Sequence, residues 1–171
     1  MTDIIVKIPA SHKALATAVA AVVDRVVSFE TQGRALGPVD YRAHEVALAD
    51  DCGRIEREAH AISLASLDVN RPRLRIEGVL HYKIGRYSGE YKCRTGTEKV
   101  MRSLYRKSGG RTRQGEYAPA VNTVSLRSGA IEDEWLPETA SAMAHRVARG
   151  TSRSGRVLAG RAHAAVLALE L

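Results

Sequence analysis

Five of the six tyrosines of this 171-residue chain, Tyr82, Tyr87, Tyr91, Tyr105 and Tyr117, fall between residues 69 and 128, among 14 lysines and arginines and only 4 carboxylates. Lysine and arginine neutralise phosphates and release their counterions, while tyrosine donates to a phosphate or stacks on an unpaired base. A nucleic acid is the partner such interleaving implies. The competing reading is that the tyrosines fill the core of a small sheet while the cations solvate its outer face, and for any single tyrosine that reading is the stronger. The uneven charge weighs against it for the segment as a whole. Residues 1–68 hold 7 basic and 10 acidic side chains and residues 129–171 hold 5 of each, so the middle segment alone accounts for the net charge of +7.

Other chemistry finds less support. The glycines from Gly109 to Gly115 lead into Glu116 and Tyr117, not into the lysine and hydroxyl residue of a phosphate-cradling loop. His12, His44, His60, His81, His145 and His163 form no i, i+4 pair, and Cys52 and Cys93 lack the paired spacing of a zinc site or a disulfide framework. Neither a metal nor another cofactor is expected. The carboxylates Asp50 and Asp51, and Glu132 to Glu134, sit where helix solubility and dipole complementarity explain them without acid–base or two-metal catalysis. A serine nucleophile between Gly150 and Gly155 lacks the preceding strand that builds a strained elbow. The expectation is therefore a protein that is not an enzyme.

The elements that must position the cations are legible from periodicity. Leu15, Val19, Val22, Val26 and Phe29 make one stripe of a helix from about Ser11 to Gln32, with Ser11 as its cap. After GRALGP a second helix starts near Val39 and carries Tyr41, Leu48, Ile55 and Ile62 at sevenfold spacing, with Cys52 and Ala59 between them. This seam closes either within an antiparallel hairpin or between two chains as a dimer. Beyond Asn70 the period changes to two: Leu74 and Ile76, Leu80, Tyr82 and Ile84, then Tyr91 and Cys93 alternate with cations. Three or four antiparallel strands ending near Arg106 are predicted, with a basic outward face. KSGGRTRQG, Lys107 to Gly115, is a loop able to order on a phosphate backbone.

The last third returns to helix. Pro137 opens it, Glu132, Asp133, Glu134 and Glu138 place negative charge at its start, and Leu136, Ala140, Met143, Ala144 and Val147 form its apolar face. Gly150 ends it, and Thr151 or Ser152 caps a final helix with Leu158, Ala162, Ala165, Val166 and Leu169 on its apolar side. The pair has helix-turn-helix organisation, with Arg149, Arg153 and Arg156 at the turn, where groove and phosphate contacts arise. Gly155 and Gly160 weaken the second helix as a reader of bases, and no asparagine or glutamine stands ready for adenine. No segment reaches the roughly 18 uninterrupted apolar residues of a membrane span, and Ala14 to Val23, though apolar like a signal-peptide core, continues in helical register past Asp24 and Arg25. A cytoplasmic location is expected.

Two stretches carry a family resemblance. RIEGVLHYKIGRYSGEYKCRTGTEKVMRSLYR, Arg75 to Arg106, and VSLRSGAIEDEWLPETASAMAHRVARGTSR, Val124 to Arg153, resemble the region upstream of the catalytic domain in bacterial insertion-sequence transposases of the ISKra type. The similarity covers about half the chain, and its most specific parts are SLYR and the passage from LRSG to WLPETA. Members of that family continue into a ribonuclease-H-like domain with three acidic metal ligands; no acidic residue here matches them. The resemblance implies a truncated or repurposed DNA-binding portion of a transposase.

The expected fold is α+β: a helical hairpin over 1–68 serving as a possible dimerisation element, a basic antiparallel β region over 69–128, and a C-terminal helical pair over 129–171. The expected function is non-catalytic binding of nucleic acid, with double-stranded DNA foremost. Its phosphate contacts are Arg73, Arg75, Lys83, Arg86, Lys92, Arg94, Lys99, Arg102 and Arg106, and in second place Arg149, Arg153 and Arg156. The alternative is a self-assembling structural or adaptor protein that kept the transposase-derived interfaces without DNA binding. A weaker third reading is a regulator that forms mixed oligomers with an intact transposase.

Overall fold

The computed structural model describes residues 5–35, 38–111, 114–131, 134–149 and 169–170. It is a mixed α+β fold that divides into two compact units, Met1–Ile62 and Ser63–Leu171. The first unit is a helical pair. A short 3-10 turn, Ala10–His12, leads into α1, Lys13–Arg34, and α2 spans Tyr41–Ala65. Ser11 falls inside the 3-10 turn, so the expected cap is displaced: His12 is the N-cap, without a side-chain hydrogen bond. At α2 the capping acceptor is Asp40, whose Oδ1 accepts the Ala43 N–H at 3.0 Å, a partner the sequence reading passed over.

The two helices run antiparallel within the chain. Arg25 of α1 pairs with Asp51 of α2, and Phe29 stacks on His44 with ring centroids 3.9 Å apart, Tyr41 meeting its edge at 5.8 Å. Leu48, Ile55, Ala59 and Ile62 of the expected seam are half-buried, but Tyr41 and Cys52 are exposed. The strict sevenfold seam is thus only partly used, because a straight helix drifts off a seven-residue repeat and His44 takes part in its place.

The second unit is built on an antiparallel sheet in the order β4-β3-β2-β1, with β1 Arg73–Ile76, β2 Val79–Cys93, β3 Gly96–Lys107 and β4 Val121–Asn122. Glu77 and Gly78, with φ of 52° and 74°, form the two-residue turn between β1 and β2, where positive φ at both positions matches the right-handed twist of the strands. A six-residue helix, α3, Thr123–Ser128, follows β4, and its N-cap Asn122 accepts the Ser125 N–H at 2.8 Å. It was not anticipated, being too short for a periodicity signal. Helix α4, Pro137–Arg149, begins at Pro137 as expected. Leu169 lies not on a helix but in β5, Leu169–Glu170, which pairs with β1. The remainder of the expected final helix, and with it the turn of the helix-turn-helix, lies outside the described residues.

The long β2–β3 hairpin buries opposite faces at its two ends. The register makes Leu74, Ile76, Lys83, Arg86, Ser103 and Tyr105 share one face, the Tyr105 face, while Arg73, Arg75, Tyr82, Tyr87, Arg102 and Arg106 share the other, the Tyr82 face. Near β1 the core lies on the Tyr105 face, where Leu74, Ile76 and Tyr105 pack with Val69, Val121 and Leu126. At the far end it lies on the Tyr82 face, where Tyr91, Cys93 and Val100 are buried. There the segment around Trp135 adds to β2 in parallel, with the Leu136 N–H on the Lys92 carbonyl, and leads to the buried Ala140 and Ala144 of α4. The Tyr82 face is consequently left open near β1.

Candidate nucleic-acid interface

The expected single basic surface does not form on the sheet: the cations divide between its two faces. Lys83, Arg86, Lys92 and Lys99 project on the Tyr105 face, and Arg73, Arg75, Arg102 and Arg106 on the Tyr82 face. The reason is the spacing within and between strands: on β3 Lys99 alternates with Arg102 and Arg106, and Arg73 and Arg75 of β1 share the face of Tyr82, opposite Lys83, while the bulge between Lys83 and Gly85 brings Arg86 and Lys92 to the face of Lys83.

Several expected phosphate contacts are instead occupied within the protein. Arg86 pairs with Asp68 at 3.4 Å, Lys99 with Glu90 at 3.7 Å, and Lys83 donates to the Asn70 side chain at 2.5 Å. Lys92 lies 5.1 Å over the ring of Trp135. Arg102 is the most committed of all. It pairs with Glu134, lies 5.8 Å from the Tyr91 ring centroid, and crosses Gly89 so closely that a Cβ there would fall 2.3 Å from its Nε. Burial works against its charge, but Tyr91 and Glu134 outweigh that penalty and hold its pKa above the ordinary arginine value. Asp68 and Glu134 belong to the flanking thirds, so carboxylates outside the basic segment neutralise part of it. Arg102 is a structural residue here and leaves the set of phosphate contacts. Arg94 is exposed in the turn after β2, Arg149 ends α4, and Arg153 and Arg156 lie outside the described residues.

What the fold does bring together is a row across three adjacent strands. Arg73 of β1 stands opposite Tyr82 of β2, which stands opposite Arg106 of β3, all on the Tyr82 face. Arg75 lies two residues along the same face. After β3 the chain turns back on itself: Gly110 donates to the Lys107 carbonyl at 3.1 Å, Gly109 takes a φ of 67°, and Arg111 bridges to Tyr117. That return brings the Tyr117 ring within reach of two guanidinium groups, 4.7 Å from Arg106 and 5.5 Å from Arg111, and Arg106 Nε donates to the Ala118 carbonyl at 3.2 Å.

Tyr82, Tyr87 and Tyr117 remain 45%, 51% and 63% exposed, whereas Tyr91 and Tyr105 are buried. The core reading therefore describes Tyr91 and Tyr105, and the other three stay open to solvent. No family model, curated protein or solved structure matches this chain. Arg73, Arg75 and Arg106 among the expected residues are joined by Arg111, Tyr82 and Tyr117, of which Arg111 was not among the expected contacts. Its signal in the sequence is the glycine-rich loop from Lys107 to Gly115, in which it lies. Among the described residues no ion pair engages Arg73, Arg106 or Arg111, and the carboxylates nearest to them in sequence are Glu77 at the hairpin tip, Glu98 on β3 and Glu116 beside Tyr117.

Proposed function

We propose that this protein binds nucleic acid without catalysing a reaction, and that it does so through the open part of the Tyr82 face. The observation that carries the reading is the Arg73–Tyr82–Arg106 row. Guanidinium groups there have no carboxylate partner among the described residues, and an exposed aromatic ring stands between them. Arginine offers planar, paired donors to phosphate, and its weak hydration makes it less costly to bring against a polyanion than lysine. Double-stranded DNA meets such a surface through its backbone, and the resemblance to the segment preceding a transposase catalytic domain supports DNA as the kind of nucleic acid. In fluorescence anisotropy with labelled duplex DNA, binding is expected at low salt and should weaken steeply as salt rises, because bound counterions are released. Absence of binding at low salt would refute duplex DNA as the ligand.

A second reading has its own observation. Val23, Val26, Val27 and Val46 of the helical pair are each at least 46% exposed, and among its described residues only Ala18, Gly53 and Leu64 are buried. An apolar surface of this kind fits self-assembly, the property of an adaptor protein or of a subunit that forms mixed oligomers. Light scattering separates the two: a large stable oligomer with no affinity for DNA supports the adaptor, and DNA binding supports the first reading.

A further inference from the structure

Beside the arginine row lies an open concavity of about 480 Å³, within the range of small-ligand sites. Tyr82, Ile84, Arg106, Arg111 and Tyr117 line it with side chains, and Gly109 and Gly110 line it with backbone. We infer that this concavity takes an unpaired nucleobase, so that the preferred ligand is a single strand or a duplex with unpaired bases. The inference rests on the nucleic-acid reading above and narrows it.

The chemistry of the lining selects a flat, aromatic, uncharged ring with an anionic attachment. Tyr82 offers an exposed π face, Tyr117, with Arg106 and Arg111 over its ring, a further aromatic wall, and Ile84, which the bulge places at the same site and leaves 40% exposed, an apolar edge. A purely phosphate-binding groove has no use for these three. Arg106 and Arg111 already stand over one aromatic ring, that of Tyr117, the kind of cation–π contact that guanidinium groups also make with a base. Arg73, on the neighbouring strand and exposed, stands where the phosphate of the next nucleotide would run. In an intact duplex the base faces are stacked on one another, so a paired base cannot fill the concavity while it stays in the helix. Stacking tolerates every base, so little sequence preference is expected.

The test is anisotropy of the full chain with three labelled probes of equal length: oligothymidine, oligouridine and a duplex DNA. Tighter binding of either single strand than of the duplex is expected, and Tyr82→Ala should weaken the single-strand complex by roughly tenfold while Tyr82→Phe retains it. Tyr117→Ala should act in the same direction. Both rings are exposed, and an unchanged thermal melt confirms that the fold survives. The two single strands identify whether DNA or RNA is preferred. Equal affinity for duplex and single strand, indifferent to Tyr82→Ala, would overturn the base site while leaving the phosphate surface intact. If none of the three probes binds at low salt, the nucleic-acid reading fails and the base site with it.

Discussion

The buried polar residues of the second unit show how little of a basic segment is free to act on a partner. Asp68 accepts the Ser103 N–H at 2.7 Å and its hydroxyl at 3.1 Å, and Ser103 has no exposed surface. Removing the carboxylate strands both donors without water, so Asp68→Ala should lower stability by about 2–4 kcal/mol and Asp68→Asn by less, measured by urea denaturation. Arg102 makes the same point for a cation. Its side chain and that of Glu134 are 18% and 23% exposed, and Arg102→Ala leaves the carboxylate without its partner. A loss of about 2 kcal/mol is expected, somewhat below the full value for a wholly buried pair. Unchanged stability in either variant would show that the contact is not maintained in solution. Nothing in the alternation of the sequence separates Arg102 from Arg106, since both stand on the Tyr82 face. The difference arises from Glu134, 32 residues further on, and a non-local pairing of that kind leaves no periodic trace.

At the level of elements, both N-terminal helices, the start of α4 and the strand-rich middle were legible, because each repeats its apolar residues at a period the backbone imposes. The bulge was not. Ile84 fits the alternation of Leu80 and Tyr82, so the extra residue is invisible until the pairing with β3 is known. That one residue brings Lys83, Arg86 and Lys92 to the same face, whereas the two mixed faces follow from the strand pairing, which alternation alone does not give. The β1–β2 turn offers a local test. Glu77 holds a φ of 52° with a side chain that gains nothing from it, whereas asparagine before glycine suits this turn. Glu77→Asn should therefore raise stability by up to about 1 kcal/mol in thermal or urea unfolding, and a loss of stability would show that the glutamate side chain has a role of its own.

For the whole molecule, charge and exposed apolar surface are partitioned between the units. The helical pair falls in the acidic first third and displays valines, while the sheet falls in the basic segment and displays tyrosines and arginines. If the helical pair mediates self-association, Val23→Glu with Val27→Glu should lower the mass seen by light scattering without lowering the affinity of each chain for nucleic acid. An unchanged mass would place any self-association elsewhere. The functional claim depends on the two sheet faces being unequal, despite nearly equal numbers of cations. The most direct measurement is the salt dependence of binding by anisotropy for the unaltered chain, for Arg73→Gln with Arg106→Gln, and for Lys92→Gln with Lys99→Gln. Loss of two phosphate contacts should reduce the slope of log affinity against log salt by about 2 for the arginine pair and leave it unchanged for the lysine pair. A reduction confined to the lysine pair, or equal in both, would contradict the assignment of the interface to the Tyr82 face.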